Sequence, residues 1–323
     1  MKFSTFCAFL AYLLNSLKSC KKLKNNLQIK RLKSKIKKRR VSIMTENVIK
    51  EYPEEIVEIT EESIRKYIEG ISENNPVFLK DGVKAPPLYA TALSIPFTGK
   101  VLFDDEVNQG VNPMRVVHGE QDSRIFRLIK AGDKIGIKTK FLGIEQKETG
   151  TLFIVKAEQY DKTKGEKIGE GYHLYFIRGE KKGGGEKKKE EEKKEFGQKL
   201  YEWKIKVAKD QPIKYAEGSG DRFPIHTDEN FAKAMGFPTI ILHGMCTMAF
   251  ATKSVIDNVC EGDPTKIKRV RCRFSKIVLP EDELTFIGYE SKEKPEIGKR
   301  RIDIVAINQN GEEVLKNAFA EID

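Results

Sequence analysis

The chain has four histidines, His118, His173, His226 and His243, so few groups could act as a general base near neutral pH. His226 lies in Gly218-Ser219-Gly220-Asp221-Arg222-Phe223-Pro224-Ile225-His226, which holds a carboxylate and an imidazole five residues apart. On a helix that spacing would splay the two groups. In a loop shaped by Gly218, Gly220 and Pro224 they can converge on one pocket and move protons around a bound water, or they can form an ordinary satisfied turn. Further on, His243-Gly244-Met245-Cys246-Thr247 sets a second imidazole and a glycine at the start of a run of small and apolar residues. Cys246 reads as a packing side chain, because nothing beside it supports covalent catalysis. His173 falls in a strand-like pattern and reads as structural. The five cysteines are too scattered for a disulfide framework and none are paired at metal-ligand spacing, so no metal site is expected.

The elements that must position these groups come in two similar sets. Between Gly179 and Gly197 a stretch with three consecutive glycines and dense Lys and Glu cannot bury a core, and it reads as a linker over 180–199. Halves 45–179 and 200–323 flank it. Each begins with an extended entry and a helix-like stretch, continues through a Gly/Pro-rich excursion to a buried apolar segment, and ends in β-rich runs. The apolar segments, Ala85–Gly99 and Ile240–Val259, each predict one buried helix. The β-rich runs are Ile135–Phe141, Gly150–Tyr160 and Gly171–Arg178 in the first half. In the second they are Ile267–Phe274, Leu284–Ser291, Arg300–Asn308 and Glu313–Ala320. A shift of 148 residues lays Tyr67-Ile68-Glu69-Gly70 on Tyr215-Ala216-Glu217-Gly218, Pro76 on Pro224 and Phe126 on Phe274, which points to a duplication.

Charge is unevenly spread. Residues 1–44 carry thirteen Lys and Arg and no acid, whereas the remainder has 46 basic against 48 acidic residues, a net of −2. The formal +11 of the whole chain is therefore a property of an N-terminal extension, which reads either as a targeting or surface-anchoring segment or as sequence upstream of a start at Met44. Aromatics are not interleaved with its lysines, so no nucleic-acid partner is expected. The apolar run Phe6–Leu14 is far short of the ~20 residues that span a bilayer, so no transmembrane segment is expected.

The stretch from Tyr215 through Thr247 resembles the signature of the MaoC-like and hydratase 2 family, which is written around Gly-Asp-x-Asn-Pro-x-His and a later His-Gly-Met/Leu-Cys-Thr. Val117-His118-Gly119-Glu120-Gln121, Lys130-Ala131-Gly132-Asp133, Phe176-Ile177-Arg178-Gly179 and Arg271-Cys272-Arg273-Phe274 extend the likeness over Tyr52–Asp323. The resemblance implies an α+β double hot-dog: two tandem repeats, each a long helix wrapped by an antiparallel sheet, paired as a pseudo-dimer. It further implies (R)-specific hydration of trans-2-enoyl-CoA, or the related dehydration of a 3-hydroxyacyl carrier-protein thioester. A fold that binds acyl-CoA without turning it over is the reading from another class.

By that resemblance Asp221 and His226 share the proton transfers and the Gly244 N–H holds the thioester oxygen, without a metal or redox cofactor. His118, Gly119, Lys147, Phe223 and Phe274 would line the substrate path. His118 could instead be a turn residue and Lys147 a solvated charge, and His243 would orient the turn before Gly244. The first half has Glu73 where the second has Asp221, and Phe78 where it has His226, so it would house the acyl tail and leave the chemistry to the second. Phe223 replaces the family's Asn, which the first half keeps as Asn75. The implied partners are the acyl-CoA substrate and a second copy of the chain in a homodimer. A peroxisomal location is implied too, although Glu321-Ile322-Asp323 is not a peroxisomal tripeptide, and a cytoplasmic or mitochondrial one is compatible with the sequence.

Overall fold

The computed structural model describes residues 48–323 apart from Asp81, 109–114, 148–149 and 180–194. The basic extension over 1–44 and most of the charged linker over 180–199 thus lie outside the described residues. In chain order the strands are β1 (Lys50–Glu51), β2 (Glu55–Glu58), β3 (Val116–Ile125), β4 (Lys134–Lys147), β5 (Gly150–Asp161) and β6 (Lys167–Arg178), followed by β7 (Lys199–Lys206), β8 (Ile267–Phe274), β9 (Glu283–Glu290), β10 (Arg300–Asn308) and β11 (Glu313–Ile322). The helices are α1 (Glu61–Gly70), α2 (Tyr89–Ala92), α3 (Ile95–Lys100), α4 (Asp105–Asn108), α5 (Gln211–Ser219), α6 (Glu229–Ala234) and α7 (Gly244–Asn258).

The strands form one antiparallel sheet in the order β1-β4-β5-β6-β3-β8-β11-β10-β9-β7, with β2 beside β4. The set β2, β4, β5, β6, β3 is repeated in mirror order by β7, β9, β10, β11, β8, and the halves meet where β3 pairs with β8, from Glu120↔Arg273 to Arg124↔Arg269. Charges mark that seam. Arg269 is buried and grips Asp122 through two bonds of 2.7 and 2.6 Å, and Arg271 pairs with Glu120. Bidentate pairs of this kind fix the register of two surfaces more surely than they add stability.

The repeat visible in the sequence marks a second contact between the halves. α1 starts at a capping box in which Thr60 and Ser63 bond each other's backbone N–H, and it buries Ile64 and Tyr67. It crosses α5 where the repeated glycines fall. A Cβ on Gly70 would lie 2.9 Å from the Tyr215 Cα, and one on Gly218 would lie 2.5 Å from the Tyr67 Cα. Each glycine thus admits the other helix's tyrosine, and the two tyrosine rings sit 5.9 Å apart. The Tyr-x-x-Gly identity is required by backbone contact.

α7 is the long central helix of the second half. Met245, Cys246, Met248, Ala249, Phe250, Ala251, Val255 and Ile256 are all buried, which explains why its first two turns are almost wholly apolar. It begins at Gly244 and not at Ile240: Ile241 and Leu242 run extended, their N–H groups donating to the Ile225 and Val278 carbonyls. The single helix expected over Ala85–Gly99 is broken into α2 and α3. Pro96 at the start of α3 has no N–H for the carbonyl four residues back and crowds it, which interrupts the helix. β3 was absent from the strands expected from alternation. Its residues are half-buried from Val116 to Glu120 and buried at Gln121, Asp122 and Ser123, so polar side chains occupy the inward face and hide the period.

Candidate active site

Asp221 follows the left-handed Gly220 that ends α5, and its N–H donates to Ser219 Oγ at 3.2 Å. Three residues later the chain enters a 3₁₀ turn, Pro224–His226, that brings the imidazole back toward the carboxylate. His226 Nδ1 bonds the Ile241 carbonyl at 2.8 Å. A carbonyl only accepts, so Nδ1 carries the proton and Nε2 keeps its lone pair. His243 caps α7 and donates Nε2–H to the Asp221 carbonyl at 2.9 Å, and its ring stacks on that of His226 with centres 3.7 Å apart. The expected Asp221/His226 convergence is therefore formed, with His243 as the strut between loop and helix.

A carboxylate oxygen of Asp221 and one ring nitrogen from each of His226 and His243 lie within 4.8 Å of one another. That spacing leaves room for one water bonded to Asp221 and His226. It does not make a chelate. A metal ion lies near the plane of each imidazole that ligates it, at about 2 Å, and stacked planes inclined by only 22° do not converge at that range.

Gly244 is the first residue of α7, so its N–H has no acceptor within the helix and lies at the positive helix end. The Phe274 ring covers it: a Cβ on Gly244 would come within 2.7 Å of that ring. His118 meets the same ring edge-on at 5.0 Å, so a side chain of the first half enters the site of the second. It is no turn residue. It sits in β3 beside a bulge at Gly119, where pairing with β6 jumps from His118↔Tyr175 to Glu120↔Leu174, and bulges re-aim side chains. Phe223 borders the turn, its N–H donating to Asp221 Oδ1 at 3.3 Å. Lys147 ends β4 at the tip of the β4–β5 hairpin, exposed and paired with Glu145.

Gln121, His173 and Tyr175 were not anticipated as neighbours of the site. Gln121 Oε1 is 3.1 Å from His118 Nε2, and His118 lies over both His173 and Tyr175, at 5.9 and 5.1 Å. Their inward positions on β3 and β6 were the available signal. Burial dominates the titration of all four histidines. It pushes His118 down to about 4 against the opposing pull of the Asp221 charge, lowers His226 against the same pull, and holds His173 and His243 well below the usual value. The folded protein keeps these rings neutral where the unfolded chain protonates them, near pH 6.5. Stability is thus full above pH 6.5 and lost as pH falls toward 4, by up to about 1.4 kcal/mol per pH unit for each histidine. Urea midpoints should be flat from pH 8 to 7 and fall between 6.5 and 5.5; a midpoint unchanged down to 5.5 would contradict this.

The equivalent place in the first half is dismantled. Pro76–Phe78 forms the matching 3₁₀ turn, but Phe78 is a core residue. Glu73 is held by the Asn74 and Asn75 N–H groups at 2.9 Å each and by Lys253 Nζ at 2.7 Å. Asn75 caps its own turn through Val77 N–H and donates to the Gly262 carbonyl. The oxyanion donor is missing as well. Ala85 N–H donates to the Ile129 carbonyl as Leu242 N–H does to Val278, and Lys130 and Leu279 N–H bond Asp133 and Asp282 alike. This register sets Pro87, which has no N–H, at the place of Gly244.

Two fused halves around a shared antiparallel sheet, with one Asp/His loop facing one helix start, define a double hot-dog. Residues 191–309 match the MaoC like domain, and residues 48–170 match the FAS1-like, dehydratase domain region. The chain is 31% identical over 189 residues to enoyl-CoA hydratase 2, peroxisomal, of Arabidopsis thaliana, covering 54% of this chain and 59% of that protein. It is 29% identical over 186 residues to 3-hydroxyacyl-thioester dehydratase Y of Mycobacterium tuberculosis, covering 56% and 64% respectively. The matches thus span about three fifths of the length of these relatives. The MaoC-like dehydratase structure from Phytophthora capsici superposes with a TM-score of 0.70 at 23% identity, over 87% of this chain and 99% of that one, and shares the fold. Among the described residues no helix is long and apolar enough to cross a membrane.

Proposed function

We propose that the protein is a hydro-lyase that adds water reversibly to a trans-2-enoyl-CoA to give the (R)-3-hydroxyacyl-CoA. The observation that carries this reading is that Asp221 and His226 come together with His243 beside the helix start at Gly244, while in the other half Phe78 stands for the imidazole, Pro87 for the N–H donor, and Glu73 is taken up by Lys253. Asp221 orients the water, and His226 Nε2 accepts its proton as the new C–O bond forms at the β-carbon. The negative charge moves to the thioester oxygen, where the Gly244 N–H and the α7 helix end stabilise it. The pair returns a proton to the α-carbon as the enolate collapses, and dehydration follows the same path backward. Because burial lowers the His226 pKa, the imidazole is in its base form at neutral pH, and the rate should fall only as pH drops through a value below 6.5.

The alternative substrate is a 3-hydroxyacyl carrier-protein thioester, and the near-neutral net charge of residues 45–323 gives an acidic carrier no long-range attraction. Loss of conjugated-thioester absorbance, followed with enoyl-CoA and with the same acyl group on a carrier protein, separates the two: CoA should be the better substrate. Preference for the carrier would overturn the CoA reading.

Phe223 sits at the N-cap of its turn without a side-chain bond, where its counterpart Asn75 caps Val77 at 3.1 Å. Phe223→Asn should supply the missing cap, worth about 1 kcal/mol, and raise kcat/KM several-fold by fixing the Asp221 loop. A fall in kcat/KM would show that the ring itself serves this chain's substrate.

A further inference from the structure

The duplication that built two halves also left two clefts at equivalent places. One, of about 530 Å³, opens beside the proposed site and is lined by Phe274 and the turn around Gly311. The other, of about 350 Å³, is lined by Phe126, the repeat equivalent of Phe274, and by Lys164, which lies in the turn between β5 and β6 as Gly311 lies in the turn between β10 and β11. The chemistry of the first half has been lost, but its cleft has not closed.

The second cleft has gained positive charge. Lys84, Arg127, Lys130, Lys164 and Lys268 line it without a single acid, whereas the first mixes its cations with Glu312 and Glu313. Arg127 is neutralised by Asp133 and Asp161 at 2.7 and 2.8 Å, and Lys268 by Asp323 at 3.1 Å. No ion pair with a carboxylate is formed by Lys84 or Lys130 among the described residues, while Lys164 lies near enough to Asp161 for its charge to help hold that carboxyl down. Lys84 and Lys130 moreover face each other across an antiparallel bridge, where like charges repel unless an anion lies between them. Beside them the Phe126 ring is 47% exposed, an apolar face on which a base could stack.

We propose that this cleft is a second, non-catalytic site for a phosphorylated adenine nucleotide. Its phosphates would be held by Lys84, Lys130 and Lys164, and its base would lie against Phe126. The 3′-phospho-ADP end of CoA and a free adenine nucleotide present the same chemistry. That CoA is the source rests on the reaction proposed above; the anion chemistry of the cleft does not.

The test is calorimetric titration of the full chain with CoA and, separately, with ADP, at low and high salt. The wild type should bind two CoA molecules, and Lys84→Ala/Lys130→Ala should bind one while hydrating enoyl-CoA at the wild-type rate. ADP affinity should fall at least tenfold in that variant, and in the wild type at high salt. Lys164→Ala, an exposed turn position, should weaken ADP several-fold without any risk to folding. A single CoA site together with ADP affinity lost in the variants would make free nucleotide the source. Unchanged ADP affinity in both variants would overturn the proposal. If the wild type hydrates no thioester yet the variants lose ADP, the cleft stands and the reaction falls.

Discussion

Asp221→Asn should lower kcat by about 10³-fold, within the range general acid–base groups contribute, with the fold and acyl-CoA affinity intact. The amide keeps the shape of the carboxylate and can still accept the Phe223 N–H, now 3.3 Å from Oδ1. It cannot carry the negative charge that orients a water or takes part in a proton relay. His226→Gln should cost a similar factor. The double variant should be little slower than either single one, because the pair acts as a unit around one water. The rings of His226 and His243 stack at 3.7 Å, so the His226→Gln variant also needs its thermal midpoint measured to separate lost packing from lost chemistry. Wild-type rates in Asp221→Asn and His226→Gln together would place the site elsewhere.

The largest expected loss of stability lies in the half that does no chemistry. Lys253 of α7 reaches Glu73, which stands at the repeat position of Asp221, and the two side chains are 6% and 2% exposed. Lys253→Met would leave Glu73 charged and buried with only two N–H donors, at a cost of about 3–5 kcal/mol. Glu73→Gln should cost less, because Lys253 retains Asp257 at 3.0 Å. Glu73→Gln/Lys253→Met should recover most of the Lys253→Met loss, since replacing both partners removes the uncompensated charge. Urea unfolding of the three variants measures this cycle. A Lys253→Met loss below 1 kcal/mol would show that the pair is not the latch described here.

Glycine and proline marked the Asp221/His226 loop as a turn in which the two groups could meet, and its likeness to the MaoC-like signature singled it out; the Tyr-x-x-Gly repeat was legible because both copies meet at one helix crossing. Strands with an apolar inward face, such as Ile267–Phe274 and Arg300–Asn308, ended where alternation ended. β3 was hidden because its inward side chains at Gln121 and Ser123 are polar and answer to the site they line. The broken helix at Pro96 and the late start of α7 depend on carbonyls supplied by distant strands. No local pattern shows that His118 of one half would lie against Phe274 of the other. Nor could sequence separate Lys147, at an exposed hairpin tip, from a residue of the substrate path.

On the proposed reaction, one half hydrates and the other does not. Incubating the full chain with trans-2-enoyl-CoA of several chain lengths, and resolving the configuration of the 3-hydroxyacyl-CoA formed, tests it most directly. The expected result is turnover to the (R) product alone, abolished by Asp221→Asn and unaffected by Glu73→Gln. No hydration at any chain length by a protein that still binds acyl-CoA, or an (S) product, would contradict it.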